Sequence, residues 1–326
     1  MQRLPKLAAL TAEDTGWGFF LCTYKELRAG RSGSEFVFLS LQDSSGQSVA
    51  KLMADVDRYK NEFEAGEFVR VEGRGSIYNG EVQLVLSTIR RVNPDQDRRE
   101  GFREEDAILS APRPIDEMWS ELQEHLTSVK NDHVRVLLNR IVGDHEAQLR
   151  VWPAAQVIHH AYRGGFLEHI TKMAEVGRFV SNAYGADWDL VLAGIVLHDI
   201  GKLQELAYEG GAASYTRDGN MVGHIALGIV MVREAVNGIA GFPDDLRAHL
   251  EHLIASHHGI REHGSPVEPK TVEAFILASI DELDAKLNQV RKAIAEDSGD
   301  EEFTGWHKRL GRVLYKGAGG RNFRLR

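Results

Sequence analysis

The stretch GIVLHDIGKLQEL, residues 194–206, runs through apolar residues into His198-Asp199 and then meets a glycine and a lysine. A helix that ends this way sets an imidazole beside a carboxylate, and both groups suit divalent transition metals. Four more segments carry the same chemistry. GGFLEHI puts His169 near the start of a helix, and GHIALG puts His224 in the first turn of another. ASHHG closes a helix on His257-His258, and ASIDELDAKLN sets Asp281 among Ile276, Leu277, Ile280, Leu283 and Leu287. Taken singly, each has an ordinary explanation as a surface residue or a helix cap. Together, five imidazoles and two carboxylates exceed what one ion needs. Two ions about 4 Å apart can clamp the attacking and leaving oxygens of a phosphoryl displacement, with Asp199 as the bridge. Lys202, one turn further on, can hold a phosphate oxygen as a point charge.

Ligands this far apart in the chain need a helical bundle to bring them together. From Asp116 onward the apolar residues recur three and four apart, as in LEHITKMAEVGRFVSNAY, WDLVLAGIVLHDI, HIALGIVMVREAV and TVEAFILASIDELDAKLNQVRKAI. An all-α second domain is expected over residues 117–295. Residues 16–92 read differently, as five short, partly alternating strands. Asn79-Gly80 marks one hairpin and Ser45-Gly46 a second. Five short strands in this length predict a small all-β barrel over residues 1–92. LSLQDSSGQSVAKLM followed by GEFVRVEGRGSIYNGEVQLVLSTIRRV resembles the oligonucleotide-binding (OB) fold. Such barrels hold single strands by aromatic stacking and backbone charge. Candidates here are Lys51, Arg70, Arg74, Arg90, Phe36, Phe38 and Tyr78, although alternation turns some of the aromatics into the core. Residues 93–116 are polar, carry three prolines and read as a linker. Residues 296–326 form an acidic turn and a basic tail. From Phe303 the tail has seven Lys and Arg and no acid. Its Lys316, Arg321 and Arg324 are candidates for phosphate contact. The competing expectation is that Trp306, Leu310, Val313 and Leu314 dock on the helical domain.

The bulk numbers set limits. The chain has 326 residues, 43% hydrophobic and 27% charged, which is ordinary for a globular protein of two domains. A formal net charge of −9 excludes coating nucleic acid by bulk charge but leaves room for a local basic groove. The single cysteine, Cys22, permits no internal disulfide and reads as a small buried residue in a reducing compartment. No apolar run spans a bilayer and the N-terminus lacks a signal-peptide pattern, so a cytoplasmic protein is expected.

The order H…HD…H…HH…D, with HDIGK, resembles the HD-domain superfamily of metal-dependent phosphohydrolases over residues 155–295. The strings HHAYRGGFLEH, LHDIGKL, GHI, SHHG and IDELDAKLN, behind an N-terminal OB-like barrel, resemble the YhaM family, described as 3′→5′ exoribonucleases. The resemblance implies two divalent cations. It matches His169, His198 and Asp281 to one and His224, His257 and His258 to the other, with Asp199 bridging. His252 falls beside these ligands in sequence and is read as a supporting group. The resemblance also implies hydrolysis of single-stranded RNA from its 3′ end to nucleoside monophosphates, with single-stranded DNA and a homo-oligomer left open. Mn²⁺ is the first expectation for the metal, and a nitrogen-rich site also accepts Fe²⁺, Co²⁺, Ni²⁺ or Zn²⁺. His159, His160, Tyr162 and Arg163 in HHAYRGG are candidates on the substrate side. Two other functions fit the same residues: a phosphohydrolase of small nucleotides with a regulatory barrel, and a non-catalytic single-strand adaptor with a structural metal. A surplus of ligands counts against the adaptor, because structural sites usually close with four.

Overall fold

The computed structural model describes residues 2–30, 34–155, 162–209, 212–297, 299 and 301–317. It divides into two compact units, Met1–Pro112 with Tyr208–Ala212, and Arg113–Ala207 with Ala213–Arg326.

The first unit is built on strands β1 (Thr15–Ala29), β2 (Glu35–Asp43), β3 (Gly46–Leu52), β4 (Phe68–Tyr78) and β5 (Glu81–Arg91). They close into a barrel in the order β1-β2-β3-β5-β4, with β3 and β5 parallel. Alternation drives the closure. Val37, Leu39 and Leu41 of β2 face Ala50, Leu52, Val69, Val71, Leu84, Leu86 and Ile89 inside, all buried. Cys22 lies in the same core, and burial pushes its thiol up to about 11. Asn79 and Gly80 both take positive φ, 52° and 84°, as a two-residue hairpin requires. The Ser45-Gly46 turn works by a different device. Asp43 Oδ1 accepts from Ser45 N at 2.8 Å and Gly46 N at 3.2 Å, so the aspartate side chain folds the turn.

The stretch expected to be a linker is structured over its first half. Asn93 caps a short helical turn at Pro94–Asp97. Asp97 is fully buried and takes both guanidinium nitrogens of Arg90, at 2.6 and 2.8 Å. Phe102 packs on Phe19 and Phe68. Composition hid this, because one buried ion pair and one aromatic ring anchor an otherwise polar segment.

The second unit contains helices α1 (Ile115–Thr127), α2 (Asp132–Asp144), α3 (Gly165–Tyr184), α4 (Trp188–Leu197), α5 (His224–Asn237), α6 (Asp244–Ser256) and α7 (Val272–Glu296). The side chains of Asn131, Asp187 and Thr271 cap α2, α4 and α7. α4 is the central helix: Val191 to Leu197 are all buried, and α3, α6 and α7 pack around it. Two short strands, Leu206–Glu209 and Ala212–Tyr215, pair with each other. Beyond α7 the chain makes a small hairpin closed by Phe303↔Tyr315 and His307↔Arg312. Among the described residues no helix is long and apolar enough to cross a membrane.

Candidate functional site

His198 is the C-cap of α4, and the chain turns at Asp199-Ile200-Gly201 into a one-turn helix at Lys202–Glu205. α5 starts directly against this turn. A Cβ on Gly201 would stand 2.0 Å from the His224 carbonyl oxygen and 2.5 Å from Gly228 N. The glycine of HDIGK is therefore what lets the backbone carrying His224 approach the backbone carrying Asp199. Sequence reading gave Gly201 no role.

Three other helices complete the ring. α3 brings His169, the end of α6 brings His257 and His258, and α7 brings Asp281. One group gathers His169, His198 and Asp281; a second gathers His224, His257 and His258. His169 Nε2 lies 3.4 Å from His198 Nε2 and 3.3 Å from Asp281 Oδ1. Asp199 stands between the groups. Its Oδ2 is 3.4 Å from His198 Nε2, while its Oδ1 is 3.4 Å from His224 Nε2 and 3.7 Å from His257 Nε2. Lys202 Nζ donates to Asp199 Oδ2 at 2.6 Å.

The outward-facing nitrogens of these rings are fixed from behind. His198 Nδ1 donates to the Ile195 carbonyl at 2.9 Å, and His257 Nδ1 donates to the Ile254 carbonyl at 2.7 Å. His169 Nδ1 meets Asp284 Oδ2 at 2.8 Å. His224 Nδ1 meets Glu205 Oε1 at 3.0 Å, and the same oxygen accepts from His224 N. Asp284 and Glu205 were missed in the sequence. The signal for Asp284 was its place one turn after Asp281 on the same helix; Glu205 gave none. His252, read as a supporting group, does other work: its Nε2 accepts from Lys270 N at 3.0 Å, next to the start of α7.

Charge and burial follow from this geometry. Burial, aided by His198, pushes His257 down to about 3, so its ring is neutral and a lone pair faces inward. Burial also opposes charge on His169, but Asp281 and Asp284 outweigh it and hold that ring up at about 9. Asp199 is held well below the usual carboxylate range, since Lys202 and the surrounding imidazoles overcome the effect of burial. The same attraction raises Lys202 against its burial.

The donor set fits divalent cations. Asp199 Oδ1, His224 Nε2, His257 Nε2 and His258 Nδ1 are buried and have no hydrogen-bond partner among the described residues. Buried polar atoms without partners are rare and costly, and the first three converge, with both imidazole nitrogens within 3.7 Å of Asp199 Oδ1, as a cation site requires. Imidazole nitrogens and carboxylate oxygens are what a first-row transition ion takes.

The remaining candidates fall into distinct places. Tyr162 donates its hydroxyl to Glu168 at 2.5 Å, one residue before His169, and Arg163 is half-buried beside it. His159 and His160 lie outside the described residues, as do Arg321 and Arg324. On the barrel, register lines up one outward row: Phe38 opposite Lys51, Lys51 opposite Val85, and Val85 opposite Arg74. Lys51 Nζ sits 4.0 Å over the exposed Tyr78 ring, and Arg28 stacks 3.9 Å over Phe38. Phe36 shares the outward side of β2. Arg70 lies elsewhere on the barrel. It stacks on Trp17 and pairs with Glu72 at 2.9 Å and Glu100 at 3.3 Å, so two carboxylates already neutralise it. Arg90 is partly exposed, but its guanidinium is engaged by Asp97. Lys316 is only 2% exposed; its amine donates to Asp297 Oδ1 at 2.6 Å and to the Gly299 carbonyl at 2.5 Å. It closes the C-terminal hairpin onto the end of α7, and its amine is already taken up by these two oxygens. Of the apolar tail residues, Leu314 is buried, whereas Trp306 and Val313 are exposed.

The chain matches the HD domain family over residues 166–286 and the OB-fold nucleic acid binding domain family over residues 23–92. It is 34% identical over 264 residues to the 3′-5′ exoribonuclease YhaM of Bacillus subtilis (strain 168), covering 81% of this chain and 82% of that protein. It is 33% identical over 264 residues to the protein of the same name from Bacillus pumilus (strain SAFR-032), with the same coverage of 81% and 82%.

Proposed function

This chain belongs to the YhaM family of 3′-5′ exoribonucleases, and on that footing we propose that it removes nucleoside monophosphates one at a time from the 3′ end of single-stranded RNA. The observation that carries the reading is the position of Asp199, one oxygen toward each of two three-residue ligand groups. We read His169, His198 and Asp281 as holding one cation, His224, His257 and His258 as holding the other, and Asp199 as shared. Mn²⁺ is the expected metal. When bound, the pair supplies an acidified water and positive charge on the reacting phosphoryl oxygens. The chain's own residues do the rest. Carbonyl and carboxylate partners fix the rings of His169, His198, His224 and His257 so that the other nitrogen of each would be free to hold a cation. Lys202, charged and held by Asp199, takes a non-bridging phosphate oxygen. The barrel row of Phe38, Lys51, Arg74 and Tyr78 holds the strand upstream by stacking and charge. We read the protein as cytoplasmic, in keeping with an RNA substrate.

The test is incubation of the chelator-stripped protein with 5′-labelled single-stranded RNA and DNA across Mn²⁺, Fe²⁺, Co²⁺, Ni²⁺ and Zn²⁺. A ladder that shortens from the 3′ end, dependent on metal and weaker on DNA, is the expected result. Internal cuts, or no product with any metal, would overturn the reading.

A further inference from the structure

The C-terminal hairpin is built to be rigid and yet presents unusual side chains outward. Lys316 fastens its base to Asp297 and Gly299. Thr304 N donates to the Leu314 carbonyl at 2.8 Å, and Leu314 N donates to Thr304 Oγ1 at 3.0 Å. At the tip, Gly311 N donates to the His307 carbonyl at 2.9 Å with Gly311 at φ 62°. On this frame Trp306 is 67% exposed, Tyr315 52% and Phe303 50%. Lys308, Arg309 and Arg312 are exposed at the tip and form no ion pair with any described residue. The nearest acids in sequence, Glu301 and Glu302, stand at the opposite, open end. Indole and phenol rings left in water beside unneutralised cations are the two components of a single-strand surface: stacking on bases and attraction to phosphates.

We propose that this hairpin is a second RNA contact, separate from the barrel, in which Trp306 stacks on a base while Lys308, Arg309 and Arg312 face the neighbouring phosphates. The proposal rests on the exonuclease reading for the direction of the strand. A protein partner would meet the same rings, but three clustered, unpaired cations favour a polyanion over the surface of a chain that is itself acidic. Distance makes the idea quantitative. The hairpin hangs from the end of α7, whose Asp281 lies in the ligand ring. From Asp281 to Glu296 the helix rises on the order of 20 Å. A strand with its 3′ end at Asp199 needs on the order of six nucleotides to run that far at stacked spacing. The base of the hairpin is therefore beyond a trinucleotide, and the proposed contact serves long substrates.

The test uses the full-length protein, with Trp306→Ala and the triple change of Lys308, Arg309 and Arg312 to Ala. Trp306→Tyr serves as the conservative control. Binding of a 20-nucleotide single-stranded RNA is measured at several salt concentrations, beside turnover of that RNA and of a trinucleotide. Trp306→Ala should weaken binding of the 20-mer about tenfold, and Trp306→Tyr should restore most of it. The triple variant should flatten the log–log salt slope by about 2. Trinucleotide turnover should stay at the wild-type level throughout. Wild-type affinity and slope in both variants would overturn the proposal, as would a change in oligomeric state with no change in affinity. If the wild type binds RNA through this surface but yields no 3′ ladder, the exonuclease reading fails and the contact stands.

Discussion

His169 and Asp284 face each other across 2.8 Å, ring nitrogen to carboxylate, on helices α3 and α7. The contact orients the ring that points Nε2 at Asp281 and His198. Partners of this kind affect metal affinity without touching the ion. Asp284→Asn should weaken binding at the aspartate-containing position by about 10- to 100-fold, and Glu205→Gln should do the same at the three-histidine position. Metal titration by calorimetry would resolve which of two binding steps each variant weakens; a uniform loss of both steps by either variant would contradict the assignment.

Asp199→Ala should cut RNA turnover by about a thousandfold or more, on the order of 4 kcal/mol of barrier. Metal content should fall below two ions per chain, because both positions lose a shared ligand. Affinity for long RNA should change little, since the barrel and hairpin are intact. Turnover and metal analysis on the same preparation test this together, and full metal content with wild-type turnover would refute the bridging role.

Gly201→Ala sets a methyl against the His224 carbonyl, so α5 must shift. Overpacking of this kind costs about 1–3 kcal/mol. The expected outcome is a lower melting temperature together with selective loss of the ion proposed for His224, His257 and His258. A stoichiometry still at two ions would show that the turn has slack.

Barrel residues should separate into two groups. Tyr78→Ala should weaken binding of a single-stranded RNA about tenfold, with smaller losses for Lys51→Ala and Arg74→Ala. Arg70→Ala should leave affinity nearly unchanged, because Glu72 and Glu100 already neutralise the guanidinium. Filter binding at one salt concentration suffices; equal losses at Arg70 and Tyr78 would refute the outward row as the contact surface.

Asp97 gives the barrel unit an acid limit. Burial alone would raise its carboxyl, but Arg90 and the Asn93 backbone hold it below the usual value. A carboxylate depressed in the folded state stabilises fully above its unfolded value, near 3.9, and loses that contribution as pH falls below it. Asp97→Asn should therefore lower the melting temperature at pH 6. The gap to wild type should narrow progressively as pH falls below the unfolded value toward the depressed folded one, where the wild type also loses the charge. A gap independent of pH would show that packing alone holds the 93–102 segment.

The clustering of His169, His198, Asp199, His224, His257, His258 and Asp281 was legible in the sequence because each sits in a short, recognisable string, and helical periodicity brings such strings together. The groups behind the ring were not, since Glu205 reaches His224 only through the fold. Charge misled in the basic segments. Arg70, Arg90 and Lys316 look identical in sequence to Lys51 and Arg74, yet each has found carboxylates in space, and pairing of this kind has no local signature. The anchoring of residues 93–102 was hidden for the same reason.

The interior position of Cys22 has a practical corollary. The chain's only thiol is sealed in the barrel core and raised to about 11, so the outer surface is silent toward maleimides and mild oxidants. A cysteine introduced at Trp306 or Tyr78 would be the sole reactive handle on the molecule. Labelled there in separate variants, the protein would report RNA contact at each position on its own, with no background label to subtract.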